Sequence, residues 1–271
     1  MRFSIITPSF KQLDWLRLCA RSVADQAVEK EHLIQDAGTG SELEEWARAQ
    51  RGAHLFVEPD AGIYDALNRG FARASGDVFC WLNCDEQYLP GALEAVAARF
   101  AAEPELDVLL ADNLIVDAEG RYRAHRFSLV PSAAQCWVRF PVSSCALFFR
   151  RRVWQPFDTQ WRSAGDWWWF MELLHAGARV GVLRRFVASF AETGGNLGLQ
   201  PISHTEQAKI IAARPWWVRL LRPLLLAQHR TRLLAAGVGK VPPFHYALHQ
   251  HGQTERTGFA VAHPTAKWRR E

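Results

Sequence analysis

The 271-residue chain lacks the features that define disulfide-rich, exported and membrane-spanning proteins. Its five cysteines are scattered, odd in number and without CxxC spacing, which argues against a disulfide framework or a zinc knuckle. Its longest uncharged apolar stretch, around Phe140 to Phe149, is too short to span a bilayer, and no signal peptide precedes Phe3. The sequence therefore predicts a cytoplasmic globular protein, neither exported nor integral to a membrane.

The chain also lacks the GxGxxG fingerprint that a dinucleotide-binding fold places after its first strand. The corresponding turn, from Thr7 to Lys11, reads TPSFK. A nicotinamide or flavin cofactor is therefore not expected. Nucleic acid is not an expected partner either, because the aromatic, glycine and zinc signatures of the common nucleic-acid modules are absent.

Apolar runs and helical patterns alternate from the first residues of the chain. The predicted strands are Phe3–Thr7, His32–Ile34, Leu55–Val57 and Val78–Leu82, and the predicted helices are Gln12–Gln26, Ser41–Gln50, Tyr64–Ala74 and Ala164–Ala176. Ser41 followed by Glu44 predicts a capping box at the second helix. The order predicts one α/β domain, residues 1–213, with a mainly parallel central sheet and a smaller mixed second half after Asp107.

Polar side chains follow the first four predicted strands. They are Thr7 and Ser9, Asp36, Glu58 and Asp60, and Asn83 and Asp85. Because parallel α/β sheets bind ligands beyond the carboxyl ends of their strands, this set predicts a nucleotide site at one edge of the sheet. Taken alone, Asp36 and the pair Asp60 and Gly62 are more typical of turns.

The chain resembles the family 2 glycosyltransferases of GT-A fold, particularly bacterial enzymes of polysaccharide biosynthesis. The matching segments are Ser4–Gln12, the strand end at Asp36, Glu58–Gly70, Ser75–Glu86 and Ala164–Gly177, which occur in the expected order over about the first 200 residues. The resemblance implies an inverting transferase that moves a sugar from a nucleotide-diphosphate sugar to a carbohydrate or lipid-linked acceptor. UDP is the favoured nucleotide, because Asp36 suits uracil or another base with an imino proton, and GDP and dTDP remain open.

The resemblance also implies roles for particular residues. The first turn and Asp36 hold the nucleotide, the DxD metal motif falls on Asn83-Cys84-Asp85, and the catalytic base falls on Asp166. The expected donor-binding residues are Thr7, Pro8, Ser9, Asp36, Asp60, Gly62, Asn68 and Asn83, and Asp85 is the expected ligand of Mg²⁺ or Mn²⁺.

Two positions depart from the family pattern. Asn83 occupies the first DxD position, which keeps an oxygen but loses a charge, so weaker metal affinity is expected. Gly165 replaces the acidic residue that usually precedes the base, so Asp166 must act without that neighbour. The alternative role for Asp166 is a helix N-terminal carboxylate that only complements the helix dipole, an effect of about 0.3–1 kcal/mol.

The C-terminal segment, residues 214–271, carries the excess positive charge of the chain. It holds ten Lys and Arg against two Glu, whereas 22 basic residues face 26 acidic ones before it. A helix from Trp216 to Ala236 places Trp217 and the nearby leucines opposite three arginines, and Pro223 is expected to kink or divide it. This face predicts either peripheral contact with the anionic inner face of a membrane or docking on the domain itself or on a second subunit. An irregular arm is expected beyond Lys240.

Two other functions compete with glycosyl transfer. Glycoside hydrolysis also needs two carboxylates, but the parallel nucleotide-site layout does not favour it. A non-catalytic nucleotide-sugar-binding or scaffold protein of a glycan assembly complex needs no base, and the presence of both Asp85 and Asp166 argues against it.

Overall fold

The computed structural model describes residues 1–50, 52–140 and 142–268. The strands are β1 (Phe3–Ser9), β2 (Lys30–Asp36), β3 (Ala53–Val57), β4 (Val78–Trp81), β5 (Glu86–Tyr88), β6 (Val108–Asp117), β7 (Tyr122–Arg126), β8 (Leu147–Arg150), β9 (Val180–Glu192), β10 (Phe244–Leu248) and β11 (Thr257–Val261). The helices are α1 (Leu13–Ala24), α2 (Ser41–Arg48), α3 (Ile63–Arg73), α4 (Ala92–Ala102), α5 (Ala133–Cys136), α6 (Gly165–His175), α7 (Pro201–Ala212) and α8 (Trp216–Ala235). Every strand and helix predicted in the first half is present.

One large sheet organises the molecule. Its strand order is β3-β2-β1-β4-β8-β6-β9-β5, and β7 pairs with the outer part of β6. The pairings among β3, β2, β1 and β4 are all parallel, whereas β8 pairs antiparallel with both β4 and β6. The α/β fold with a mainly parallel sheet and a mixed second half is therefore confirmed. The carboxyl ends of β1 to β4 lie at one edge, where the sequence predicts the ligand site.

Helices cover both faces of the sheet because its strands are apolar on both sides. In β1, Phe3 and Ile5 pack in a cluster with α1 and α4, and Ile6 packs in a second cluster with α3 and α6. Successive side chains of a strand point to opposite faces, so one buried strand serves both layers. The sheet is thus fixed from both sides, and the loops at its carboxyl edge project from a rigid base.

The capping box predicted for α2 is wrong, and of the two outcomes expected at Pro223 the division of the helix does not occur. Helix α2 begins at Ser41 with Gly40 as its N-cap, and the Ser41 side chain makes no cap hydrogen bond, so the predicted capping box does not form. Gly40 has a positive φ of 125°, which glycine adopts readily, and it takes the N-cap position that the capping box assigned to Ser41. Helix α8 runs without a break from Trp216 to Ala235 with Pro223 inside it, so the proline does not divide it.

The segment beyond Lys240 is not irregular, which corrects another prediction. It contains the antiparallel hairpin β10–β11, whose Tyr246, Leu248 and Val261 pack against Leu114 and other apolar residues of the large sheet. Alternating apolar residues were the available signal for a strand, but the surrounding proline, histidine and glycine obscured it.

Charged contacts fasten the hairpin region to α1. The carboxylate of Asp25 lies 3.0 Å from His249 Nε2 and 2.7 Å from Arg256 Nε. Their hydrogen bonds and charges outweigh the desolvation of Asp25 and hold its pKa well below the usual value. The hairpin therefore packs on the domain that carries the sheet.

Candidate active site

A cavity of about 890 Å³ opens at the carboxyl edge of the parallel strands. Its wall includes Ser9 at the end of β1, Asp60 after β3, Asp85 after β4 and Asp166 at the start of α6. The loop after β9 closes part of the wall with Asn196. The structure thus brings the expected metal ligand and the expected base, 81 residues apart in sequence, to one cavity.

Most of the residues expected at the site line this cavity. They are Pro8, Ser9, Asp60, Gly62, Asn83, Asp85 and Asp166. Gly62 has a φ of 124°, a backbone conformation that L-residues with a side chain rarely adopt, and its N–H donates to Asp60 Oδ1 at 2.9 Å. This turn shapes the wall next to the first turn of α3.

Three expected donor-binding residues lie behind the wall instead. Thr7 is fully buried, and its hydroxyl is 2.8 Å from His32 Nε2. Asn68 holds the backbone of Phe157, donating to its carbonyl oxygen at 2.9 Å and accepting from its N–H at 2.7 Å. Their polar groups are thus engaged in holding the strands and loops in place.

Asp36 is likewise fully buried, and its carboxylate stabilises the turn that follows β2. Oδ1 accepts from the N–H groups of Gly38 and Thr39, and Oδ2 accepts from the Thr39 hydroxyl at 2.6 Å. This is the turn-forming role that the residue favours when it is taken alone. The neighbouring Ala37, not Asp36, reaches the cavity wall.

The turn after β4 places Asn83 and Asp85 on the wall of the cavity. Burial raises the pKa of Asp85 to about 6, and Asp85 Oδ2 accepts a 2.8 Å hydrogen bond from Asn196 Nδ2. Asn83 Oδ1 is buried without a hydrogen-bond partner among the described residues. Glu86 points inward, where its Oε2 accepts from the Asn83 N–H at 2.8 Å, and burial raises its pKa to about 8.

These oxygens fit a cation that arrives with a phosphate ligand. No group of three His, Cys, Asp or Glu side chains that could hold a metal ion occurs in the described ranges. Mg²⁺ is commonly bound by one or two carboxylates, with substrate phosphates and water completing its shell. The Asp85 carboxylate and the unpartnered Asn83 Oδ1 suit that mode better than a cage made wholly of protein ligands.

Asp166 has one constrained oxygen and one open oxygen. Oδ1 accepts from the Trp167 N–H at 2.9 Å and from the Tyr64 hydroxyl at 3.1 Å. Oδ2 has no hydrogen-bond partner within the described part of the chain. Burial raises the pKa of Asp166 to about 6, so the group is mainly ionised at neutral pH yet more basic than an ordinary aspartate.

A buried carboxylate from α7 fixes the segment that leads into α6. Glu206 accepts hydrogen bonds from the N–H groups of Arg162, Ser163 and Ala164 at 2.8 to 2.9 Å. The side chain of Arg162 reaches the cavity and is the one basic side chain in its described lining. Asp166 therefore projects from a segment whose backbone is held in place.

Sequence reasoning missed four residues of this site: Tyr64, Arg162, Asn196 and Glu206. Asn196 lies in the glycine-rich run TGGNLG, which is a signal for a loop near a ligand. Tyr64 lies inside a segment that the family resemblance already covers. Nothing in the local sequence marks Arg162 or Glu206, because their importance arises from contacts between distant segments.

The parallel strands β1 to β4, with helices on both faces of the sheet and a cavity at the carboxyl ends of the strands, are the layout of the GT-A fold. The sequence model described as "Glycosyl transferase family 2" matches residues 4–157, which is more than half of the chain. The chain belongs to this glycosyltransferase family. Asp166 lies outside the matched range, so its role rests on the geometry and on the motif around it.

Curated relatives carry glycosyltransferase names. A protein of Mycobacterium tuberculosis described as an uncharacterized glycosyltransferase is 37% identical over 105 residues, which is 35% of this chain and 40% of that protein. A Mycobacterium bovis protein described as a "PGL/p-HBAD biosynthesis glycosyltransferase" is 27% identical over 203 residues, or 71% of this chain and 78% of its own. The chain thus spans less than half of the first of these relatives.

Solved structures show the same fold. Staphylococcus aureus TarS in complex with UDP-GlcNAc superposes with a TM-score of 0.61 at 18% identity, covering 78% of this chain and 64% of TarS. A Pyrobaculum calidifontis mannosyltransferase in complex with GDP-Man and Mn²⁺ superposes with a TM-score of 0.55 at 16% identity, covering 88% and 76% of the two chains. At these identities the likeness establishes the fold alone.

Proposed function

We propose that the protein is an inverting glycosyltransferase that uses a nucleotide-diphosphate sugar, with UDP as the favoured nucleotide. Its acceptor is a carbohydrate or a lipid-linked sugar of cell-surface polysaccharide biosynthesis. The observation that carries the proposal is the shared cavity, in which the Asp85 turn and the open oxygen of Asp166 are both present. The polysaccharide context is supported by a Myxococcus xanthus relative named as an O-antigen biosynthesis protein. The two sequences are 33% identical over 132 residues, which is 46% of this chain and 10% of the length of that relative.

The donor binds across the ends of β1, β3 and β4. Pro8, Ser9 and Ala37 back the nucleotide side of the cavity, and Asn83 and Asp85 face the diphosphate. Asp36 and Thr7 act behind these groups by holding the turn and the strand. Asn68 acts in the same way by fixing the Phe157 backbone.

The reaction is a single displacement at the anomeric carbon. The acceptor hydroxyl oxygen attacks this carbon while its proton passes to Asp166 Oδ2, and the bond to the diphosphate oxygen breaks with its electron pair. A well-placed general base contributes about 10²–10⁴-fold in rate. The product is a glycoside of inverted configuration, and the nucleoside diphosphate leaves.

The leaving diphosphate needs positive charge in a cavity rich in carboxylates. Asp85, with Asn83, would hold Mg²⁺ or Mn²⁺, which when bound neutralises charge on the diphosphate. Arg162 is suited to add a fixed cation, because its guanidinium donates to the Ala61 carbonyl oxygen and pairs with no carboxylate among the described residues. The Asp60 carboxylate stays engaged with the Gly62 turn.

A donor screen tests the proposal. Thermal denaturation of the full chain is followed with UDP-, GDP- and dTDP-sugars, each with Mg²⁺, with Mn²⁺ and with EDTA. A ligand that binds only the folded state raises the midpoint by mass action. We expect stabilisation by one nucleotide class, strongest with metal, followed by nucleoside diphosphate release when acceptors are added. Stabilisation without any sugar transfer to glycan or lipid-linked acceptors would favour the non-catalytic binding protein.

The surface of α8 supports a membrane contact as part of this function. One face packs on the protein through Val218, which is fully buried, and through Arg232, which donates to Gln135 and to the Val130 carbonyl. The opposite side exposes a stripe of large apolar residues, Trp216, Trp217, Leu220, Leu221 and Leu224, with exposed fractions of 41–73%. Leu220, Leu221 and Leu224 therefore do not pack on the domain, whereas Leu225 lines a small pocket together with Val138 and Arg139. Docking of the exposed leucines on a second subunit stays an alternative.

The positive charge on the side of the helix opposite the stripe favours an anionic lipid surface. Arg219, Arg222 and Arg230 are exposed on the same helix, and each basic residue near such a surface contributes about 1 kcal/mol. No helix in the described ranges is long and apolar enough to cross a membrane. We therefore propose that α8 lies in the membrane surface and holds the cavity near lipid-linked acceptors, with residues 1–213 as the catalytic part and 214–271 as the basic extension.

The double variant Leu220→Glu/Leu224→Glu is expected to abolish binding to anionic vesicles. Both side chains are well exposed, so the change removes apolar contact and adds repulsion without opening the core. The measurement is flotation of the full chain with phosphatidylglycerol vesicles at low and high salt. Val57→Glu, on the exposed edge strand β3, is the control and should bind like the wild type. Equal flotation of the double variant would contradict the membrane contact, and a concentration-dependent dimer that it abolishes would assign the stripe to a second copy.

A further inference from the structure

The phenol of Tyr64 occupies the space beside the candidate base. Tyr64 lies in the first turn of α3 and is 4% exposed, and its ring packs on Phe157 with centroids 5.4 Å apart. Its hydroxyl donates to Asp166 Oδ1 at 3.1 Å. The residue therefore links the turn after β3 to the start of α6, on the wall of the same cavity.

Gly165 is required by this arrangement. A Cβ atom at position 165 would lie 2.7–2.9 Å from three carbon atoms of the Tyr64 ring, closer than real Cβ contacts approach. The obstacle is the body of a buried ring held by its neighbours, not the end of a flexible chain. Any side chain at position 165, including an acidic one, thus excludes Tyr64 from its present position.

Resting on the proposed function, we infer that Tyr64 is the positioning residue of Asp166, and that Tyr64 and Gly165 form a matched pair in place of the acidic neighbour that usually precedes the base. The hydroxyl holds Oδ1, which directs the free Oδ2 toward the acceptor. The Trp167 N–H holds the same Oδ1 from the helix side, so two donors from different elements fix the plane of the carboxylate.

The groups around Asp166 determine its pKa, and the Tyr64 hydroxyl is one of them. Burial raises the pKa of Asp166 most strongly, the Trp167 N–H and the Tyr64 hydroxyl lower it, and the Glu206 carboxylate raises it. Burial also keeps the pKa of Tyr64 well above its usual value, so the phenol remains a donor at every working pH. Removing the hydroxyl removes a stabiliser of the anion, and the base then needs a higher pH to ionise.

The pH profile of the Tyr64→Phe variant tests the inference. The wild-type kcat should fall below about pH 6 as Asp166 takes up its proton. In Tyr64→Phe we expect this acid limb to move up by about one pH unit, so that kcat falls about fivefold at pH 6, close to tenfold at pH 5, and approaches the wild-type plateau at high pH. A profile that superposes on the wild type, or a loss that is equal at every pH, would overturn the inference.

Two further variants separate the hydroxyl from the packing. Tyr246→Phe is the matched control, because it deletes a buried tyrosine hydroxyl whose bond runs to the Gly120 carbonyl far from the base. Its pH profile should equal that of the wild type. Gly165→Ala keeps the hydroxyl but displaces the ring, so it should reproduce the upward shift of the acid limb. An unshifted Gly165→Ala profile would show that the pair is not matched.

A measurement that does not depend on catalysis tests the role of Tyr64 separately from the proposed function. The titration of the Asp166 carboxyl by ¹³C NMR, assigned by its absence in Asp166→Asn, should move upward in Tyr64→Phe and stay unchanged in Tyr246→Phe. If the wild type transfers no sugar, the proposed function fails while this shift still decides the role of Tyr64. If transfer occurs and the carboxyl titration is unaltered, only the role of Tyr64 fails.

Discussion

The Asp166→Asn variant is expected to bind donor like the wild type and to lose about 10²–10⁴-fold in kcat. The amide preserves size and still accepts from the Tyr64 hydroxyl and the Trp167 N–H through its oxygen, so the local structure should survive. What it loses is a basic oxygen at the open position of the carboxylate. The measurement is steady-state release of nucleoside diphosphate with an accepted acceptor, together with calorimetric titration of the donor.

The control for this variant is Asp158→Asn. Asp158 lies in the loop before α6 and accepts from the Gln160 N–H at 2.9 Å, but it does not line the cavity. It should keep wild-type turnover. If Asp166→Asn turns over at the wild-type rate, another group accepts the proton, and Asp166 only stabilises the first turn of its helix.

The second large effect is expected for Asp85→Ala. The carboxylate is the strongest oxygen ligand offered by the turn after β4, and Asn83 alone provides only a neutral oxygen. We expect the metal-dependent part of donor affinity to fall by at least about a hundredfold, since even partners outside the metal shell contribute 10–100-fold. Titration of nucleoside diphosphate into the variant with Mn²⁺ and with EDTA measures this part directly.

Asp14→Ala is the matched control for the metal site. Asp14 is an exposed carboxylate on α1 paired with Arg17, so its loss should leave donor affinity unchanged. Thermal denaturation of both variants without ligand checks the fold. Because burial raises the pKa of Asp85, its removal should not destabilise the unliganded protein near neutral pH. Metal-dependent affinity equal to the wild type would exclude Asp85 from the cation site.

Residues adjacent to strands were predictable from the sequence, because strand order fixes where their loops lie. The pattern of β1 to β4 places Ser9, Asp60 and Asp85 at one edge, and the structure has them on one cavity. The direction of a side chain was less predictable. Asp36 ends β2 as expected, yet its Oδ1 accepts hydrogen bonds from the N–H groups of Gly38 and Thr39 in the following turn. The periodicity of a strand does not reveal this local hydrogen bonding.

Contacts between distant segments were the part that the sequence did not reveal. Glu206 accepts hydrogen bonds from the backbone before α6, more than 40 residues away in the sequence. Asn196 donates to Asp85, which is 111 residues away in the sequence. The departure at Gly165 was visible in the sequence, but its cause is the Tyr64 ring from a segment about 100 residues earlier. Such pairs depend on tertiary packing, so no local pattern predicts them.

The stereochemistry of transfer tests the central claim most directly. The full chain is incubated with an α-linked UDP-sugar, Mn²⁺ and an accepted acceptor, and the anomeric proton of the first product is followed by NMR. In the proposed mechanism Asp166 is the base on the acceptor side and no carboxylate acts as a nucleophile, so we expect a β-linked glycoside formed with one UDP per bond. An α-linked product, or free sugar released without a new glycosidic bond, would contradict it.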